Sequence, residues 1–534
     1  MNSSWRDESA WWQRGAIYQI YPRSFKDSRG DGIGDLPGIA SKLDYLAWLG
    51  VGAVWISPFY PSPMVDFGYD VTGYLDVDPI FGTLDDFDEL LTRAHGLGLK
   101  VILDFVPNHT SDQHPWFQES RSSHTNPKSD WYIWRDARRN GGPPNNWLSH
   151  FGGPAWTLDE RISKYYMHSF LPEQPDLNWR NPDVRDAMLD VLRFWLDRGV
   201  DGFRMDAIQA LIKDAQFRDD PPNPNYRKGV DQPRDSLLHR YSQDQPEAHA
   251  RIRDFRRLLD TYDDRVSIGE VSYSLSLNDL VAYYGRDDGL NLPANFKLIT
   301  LPWQATAIHE YVDRYERALP SFAWPNYVLG NHDRARVASR IGSGQARVAA
   351  MLLLTLRGTP FIYYGEEIGM RDVELSVHQL QDPHGIRVPG QGRDQARSPM
   401  QWSAEPHAGF SESEPWLPVG ASYRTINVSV QREDSSSMLN LYRRLLEYRR
   451  ETPALTIGSY RSLDGTPDDC FLYFREFEGQ RLLIALNFSA KDRTVSLEHP
   501  AKGRVVLSTY LDREGHINLS SLRLRSHEGC LIEL

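Results

Sequence analysis

Cysteine is nearly absent from this chain: Cys470 and Cys530 are the only two in 534 residues. A disulfide framework is excluded, and a reducing compartment is the expected setting, which places the protein in the cytoplasm. No stretch reaches the roughly 18 apolar residues of a membrane span, and the polar residues 1–10 lack the apolar run of a signal peptide. Membrane association is therefore not expected. Positive charge is in deficit as well, with 60 Lys and Arg against 72 Asp and Glu and a net charge of -12. That balance argues against nucleic acid as a partner and leaves a small uncharged molecule as the natural ligand.

The composition, 40% hydrophobic over this length, is enough for a large core with attachments. Apolar runs that read as buried strands fall at 16–21, 53–58, 101–106, 202–207, 266–271, 291–298, 327–333 and 359–364. Amphipathic segments lie between them. One opens on a capping-box pattern, Thr83 to Asp86, and shows Phe87, Leu90, Leu91 and Ala94 on one face before Gly96. Another starts at Asn181-Pro182 and presents Val184, Met188, Val191, Leu192, Trp195 and Leu196 before Gly199. Eight strands alternating with helices predict a (β/α)8 TIM barrel, with its chemistry at the C-terminal strand ends. Residues 1–109 and 175–457 are assigned to it. The Trp-, Pro- and Gly-rich stretch 110–174 is too long for a structureless loop and reads as a small inserted domain after strand three. Alternating segments such as 471–474 and 482–488 mark 458–534 as a C-terminal antiparallel β domain. The polar, Pro-rich residues 218–245 read as a long loop near the barrel mouth.

Four short segments end apolar runs in succession: Asp104-Phe-Val-Pro-Asn-His109, Gly202-Phe-Arg204-Met-Asp206, Gly269-Glu270 and Asn331-His332-Asp333. In their order and spacing they resemble the conserved regions of the α-amylase superfamily, glycoside hydrolase family 13. The segment Gln174-Pro-Asp-Leu-Asn-Trp179 resembles the mark of its oligo-1,6-glucosidase and α-glucosidase branch. Any one match is weak, because an Asp at a strand end commonly caps the next helix and most Arg-x-Asp triplets are surface ion pairs. Their joint occurrence in order reverses that judgement.

Breaking an acetal takes two carboxyl groups, one to protonate the departing oxygen and one to meet the developing charge on the anomeric carbon. The resemblance implies that Asp206 is the nucleophile, Glu270 the general acid/base and Asp333 the third carboxylate, which binds sugar hydroxyls. Arg204, two residues before Asp206 and on the same strand face, is expected to keep the nucleophile ionised. His109 and His332 would bond hydroxyls. The loop Asp66-Phe-Gly-Tyr69-Asp70 resembles the part that fixes and stacks on the terminal glucose, and in Arg393-Asp-Gln-Ala-Arg397 the second arginine, Arg397, is expected to pair with Asp66. Such a pair would close the pocket at one end and make the enzyme exo-acting. No cofactor is required for catalysis.

The loop Asp27-Ser-Arg29-Gly-Asp31-Gly-Ile33-Gly-Asp35 has the alternating oxygens of a calcium loop, and the family uses it for a structural Ca²⁺, commonly with Asn where this chain has Arg29. Arg29 and Ile33 could ligate only through main-chain carbonyls, the alternative being that the guanidinium takes the cation's place. The implied activity is a retaining exo-α-glucosidase acting on α-1,4-linked glucose in maltose-like oligosaccharides and on sucrose-like glucosides, with transglucosylation to a second sugar or alcohol. Ala207, the residue after the nucleophile, is the expected determinant of α-1,4 over α-1,6 linkage. A sucrose-isomerising, trehalose-forming or oligo-1,6-glucosidase relative is the nearest alternative. A non-catalytic binding protein of the same fold is the alternative of a different class.

Overall fold

The computed structural model describes residues 9–271, 275–497 and 502–534. Eight parallel strands run in chain order: β1 Ile17–Ile20, β2 Ala53–Ile56, β3 Lys100–Phe105, β4 Gly202–Met205, β5 Val266–Gly269, β6 Leu292–Pro293, β7 Asn326–Val328 and β8 Thr359–Tyr363. They hydrogen-bond in the order β7-β8-β1-β2-β3-β4-β5-β6. The seam between β6 and β7 is closed by a side chain: Asn326 donates from Nδ2 to the Pro293 carbonyl at 2.7 Å and accepts the Asn295 N–H at 2.9 Å. Each run read as a strand supplies one stave, so the barrel is the expected one.

Strand alternation separates two environments. Residues such as Tyr18, Val54, Leu103, Phe203 and Met205 point outward into a core shared with the helices. The inward set is apolar at the N-terminal end, where Ile17, Ala53, Ile102, Val266 and Leu292 form a separate plug. Two residues further along the same faces stand Gln19, Asp104 and Arg204, with Asp206 and Glu270 following beyond β4 and β5. A dry floor thus supports a polar upper layer.

Helices α1 (Leu84–Gly96) and α2 (Pro182–Asp197) bury the faces expected of them. The capping box of α1 is formed, with Thr83 N donating to Asp86 Oδ2 at 2.8 Å and Asp86 N to Thr83 Oγ1 at 3.2 Å. Asn181 caps α2 by accepting the Asp183 N–H at 2.9 Å. Between β3 and α2, strands at Trp134–Arg135, Trp156–Asp159 and Lys164–Met167 form a small antiparallel sheet. Its base is zipped by bridges from His109 to Asp176 and from Tyr132 to Leu177. After residue 458 the strands are antiparallel, six of them in one sheet that contains Cys470–Phe477 and Gln480–Asn487. Residues 218–245 are more ordered than a loop: a bridge joins Pro222 to Leu237 around a short 3₁₀ turn at Pro233–Ser236. Among the described residues, no helix is long and apolar enough to cross a membrane.

Candidate active site

A cavity of about 340 Å³ opens above the C-terminal strand ends, lined among others by Asp66, Tyr69, His109, Asp206, Ala207, Glu270, His332, Asp333 and Arg393. Arg204 is buried beneath the acids, outside the cavity lining. Its Nη1 lies 2.7 Å from Asp206 Oδ1 and 2.8 Å from Asp104 Oδ1, and its Nη2 lies 2.9 Å from Glu270 Oε2. The guanidinium also packs over the Trp55 ring at 5.0 Å. Burial first, then the charge of Glu270, pushes the Asp206 carboxyl well above its usual range, with Arg204 pulling the other way. Arg204 favours the ionised form of Asp206, and its one guanidinium is shared with Asp104 and Glu270. The Ala207 N–H donates to Glu270 Oε2 at 3.1 Å, so the chain just after Asp206 also orients Glu270.

One expected pairing is corrected. Asp66 bonds Arg393, not Arg397: Arg393 Nη2 donates to Asp66 Oδ1 at 2.6 Å. The same guanidinium holds Asp382 through Nε at 2.9 Å and Nη2 at 2.6 Å, and reaches Asp333 Oδ1 at 3.3 Å. Arg397 is turned toward the barrel wall, where Nε donates to the His332 carbonyl at 2.9 Å and Nη2 to Asp333 Oδ1 at 3.2 Å. Its guanidinium packs over Tyr21. The four-residue spacing between two arginines on a 3₁₀ turn, Asp394–Arg397, gives them different directions, and the sequence alone does not say which faces Asp66. Burial alone would raise Asp333, but the charges around it, with Arg393 and Arg397 beside it, hold it well below the carboxylate range.

His332 is pinned on both nitrogens, by Gln19 Nε2 at 2.7 Å and by the Tyr69 hydroxyl at 2.9 Å, and Tyr69 stacks on it with ring centroids 5.4 Å apart. The Tyr69 hydroxyl also donates to Asp104 Oδ2 at 3.0 Å. His109 contacts the Tyr69 carbonyl at 3.0 Å and Gln174 Nε2 at 3.2 Å. Burial lowers His109 to about 4 and His332 to about 3, so both are neutral at pH 7. Beneath His109, buried Lys213 bonds Asp176 Oδ2 at 2.6 Å and Asn108 Oδ1 at 2.9 Å. That ion pair ties both ends of the inserted segment to the chain following Asp206. Asp104, Asp176, Lys213, Asp382 and Arg393 are the site residues that sequence reasoning left without a role. Only Asp104, Asp176 and Arg393 stood inside segments already singled out.

The calcium expectation does not fit the residues present. Asp27 accepts N–H bonds from Arg29 and Gly30 on Oδ1 and from Gly32 on Oδ2, plus the Ser411 hydroxyl at 2.6 Å. Asp35 accepts the Gly38 N–H and the Ser28 N–H and hydroxyl. Asp31 accepts the Ile33 N–H at 2.9 Å. The Arg29 side chain lies 3.5 Å from Asp35 and donates to the carbonyls of Pro79 at 2.9 Å and Ile80 at 2.5 Å. Among the described residues no three His, Cys, Asp or Glu side chains converge as a metal site.

Residues 19–458 match the α-amylase catalytic-domain family. A probable α-glucosidase of Rhizobium meliloti (strain 1021) is 43% identical over 524 residues, 94% of this chain and 95% of the relative. The crystal structure of the α-glucosyl transfer enzyme XgtA superposes with a TM-score of 0.93 at 45% identity, covering 98% of this chain and 99% of that one. Trehalulose synthase MutB from Pseudomonas mesoacidophila MX-45 superposes with a TM-score of 0.89 at 33% identity over 98% and 99% of the two chains. With its three carboxylates gathered at the open end of the barrel, the chain belongs to the α-amylase family, in the α-glucosidase and oligo-1,6-glucosidase branch, and is a glycoside hydrolase.

Proposed function

We propose that the protein is a retaining exo-α-glucosidase that removes α-1,4-linked glucose from the non-reducing end of maltose-like oligosaccharides and from sucrose-like glucosides, and that passes part of that glucose to a sugar or alcohol. The observation that carries this reading is the closed floor of the pocket. The Asp66–Arg393–Asp382 ion pairs stand where a longer chain would have to continue, so only a terminal residue can reach the acids. Asp206 and Glu270 contact the two terminal nitrogens of one guanidinium. Such proximity favours the roughly 5–5.5 Å carboxyl spacing of retaining enzymes over the wider gap that admits water on the far face.

In this mechanism Asp206 attacks the anomeric carbon while Glu270 gives its proton to the departing oxygen, leaving a glucosyl-enzyme. Glu270, now a carboxylate, takes the proton of water or of an acceptor hydroxyl as that oxygen displaces Asp206. Asp333, kept ionised by the charges around it, accepts hydrogen bonds from hydroxyls of the bound glucose. Anomer-resolved detection of the first product from maltose tests the reading. α-Glucose is expected, and β-glucose would overturn it. Viscosity of a starch solution should fall slowly under exo-attack, whereas a rapid fall would indicate an open cleft.

The cytoplasm is the proposed setting, since Cys470 and Cys530 are buried free thiols. Arg29 is proposed to replace the family's structural calcium as the cation of its loop. Thermal melting with and without a chelator checks this, with an unchanged Tm expected; a Tm raised by added Ca²⁺ and lowered by chelator would restore the metal.

A further inference from the structure

The ion pairs of the floor leave the other end of the cavity to two glutamines. Gln232, from the excursion after β4, donates from Nε2 to Oε1 of Gln391 at 2.7 Å, joining segments 159 positions apart. Both line the cavity. Both are half-buried, whereas Asp66, His332 and Arg393 are buried, so the glutamines stand at the mouth and the ions at the bottom. In a pocket closed at its floor, whatever lies beyond the bond that breaks must leave past the mouth.

The Gln391 end of the bridge is held by its own loop. Gln391 is two residues from Arg393, whose grip on Asp382 fixes the loop carrying both. The same loop meets the inserted segment through Arg387, 3.6 Å from Glu173. An amide offers two N–H donors and an oxygen with two lone pairs. One bond between the two amides leaves Gln232 Oε1 and Gln391 Nε2 with no partner among the described residues. Turning both amides over exchanges the roles and preserves the bridge. Next to it, Gly390 has a φ of +86° and open space where a side chain would stand, so the bridge faces a free volume.

We propose that Gln232 and Gln391 are the acceptor-side specificity residues: their bridge limits the space beyond the terminal glucose to about one further sugar, and their free amide groups bind the hydroxyls of that sugar. The role rests on the exo-α-glucosidase reading and extends it to the group that leaves and the group that replaces it. A sugar held there presents its hydroxyl to the glucosyl-enzyme, and Glu270 takes the proton as the new acetal forms. Water has no such hold, so the bridge favours transfer over hydrolysis.

The test measures kcat/KM for maltose and maltotetraose, and the ratio of transfer to hydrolysis at fixed maltose, in wild type, Gln232→Ala, Gln391→Ala and Gln391→Met. The last keeps the volume and removes the hydrogen bond. Each Ala variant should raise the maltotetraose-to-maltose ratio, and all three variants should lower the transfer ratio, by roughly fivefold as expected for one lost hydrogen bond. Ratios unchanged in all three variants, whose melting curves match wild type, would overturn the role of the bridge. If wild type instead released no glucose from maltose, the glucosidase reading would fail whatever the variants did.

Discussion

The floor and the mouth of the pocket are built in opposite ways. At the floor, Asp66, Asp333, Asp382, Arg393 and Arg397 are charged and mutually paired, with Asp333 the least deeply buried of them. At the mouth, neutral amides on two long excursions share one hydrogen bond. Buried charges that lose a partner cost far more than neutral amides that do. A floor so built recognises one shape, whereas a mouth so built can be altered by substitution without loss of the fold. On the proposed reading, specificity for the glucose and specificity for its partner are separated along the depth of one cavity.

The largest effect that would test this division comes from the acids between the two regions. Asp206→Asn keeps the volume and removes the charge, so turnover of maltose should fall by a factor on the order of 10³ or more, with the melting temperature retained. A variant keeping a substantial fraction of the wild-type rate would remove Asp206 as nucleophile.

Next in size is Arg393→Ala, which strands Asp66 and Asp382 without their cation. Leaving a buried ion unpaired costs roughly 3–5 kcal/mol, so denaturant unfolding should show a loss of that order together with a raised KM for maltose. Arg397→Ala should spare Asp66 and act through Asp333. Equal effects of the two substitutions on KM would dissolve the distinction between the arginines.

The floor also carries a pH signature. His109, neutral when folded and lowered to about 4, would titrate near 6.5 in the unfolded chain. The unfolded state then binds the extra proton, so this contribution is complete above pH 6.5 and lost as pH falls toward 4, on the order of 3 kcal/mol over the window. Asp104, raised to about 6 by burial, and Glu366, raised to about 8 for the same reason, work in the opposite direction. The readout is therefore the difference between the wild-type and His109→Asn melting temperatures, which should move in favour of the variant between pH 6.5 and 4.5. A constant difference would mean that His109 is not held neutral.

The barrel was legible because its signals are local: each strand is an apolar run, and the polar residue two places on along the inward face follows from alternation alone. Asp206, Glu270 and Asp333 were legible because the segments that end those strands resemble, in order, the conserved regions of the family. What escaped were the partners. Arg393 and Arg397 are chemically equivalent in the sequence, and only the turn at Asp394–Arg397 decides which meets Asp66. Lys213, Asp382 and the two glutamines lie in segments without periodicity, and their meaning comes from residues brought to them by the fold. The loop Asp27–Asp35 shows the same dependence: its acids have the spacing of a calcium loop, and the partners their oxygens meet, the loop's own N–H groups and neighbouring hydroxyls, are set by the fold.

Ala207, the proposed linkage determinant, lies where floor and mouth meet and gives the smallest expected effect. Ala207 lines the cavity next to Asp206, is buried, and has a φ of 44° in the left-handed region. Its methyl leaves room for an α-1,4-linked second sugar, so maltose should be preferred to isomaltose. Ala207→Val would crowd that path and reduce the preference by roughly 1–3 kcal/mol, the worth of a pocket methyl or two. The backbone adds a second consequence, because a β-branched residue is strained at positive φ. The variant should therefore also melt earlier, and its absolute rate should drop as the Ala207 N–H shifts from Glu270. The ratio of kcat/KM for the two disaccharides cancels that common loss and reports linkage alone. A wild-type preference for isomaltose, or a ratio unmoved by Ala207→Val, would take the determinant away from Ala207 and give it to the excursion that carries Gln232.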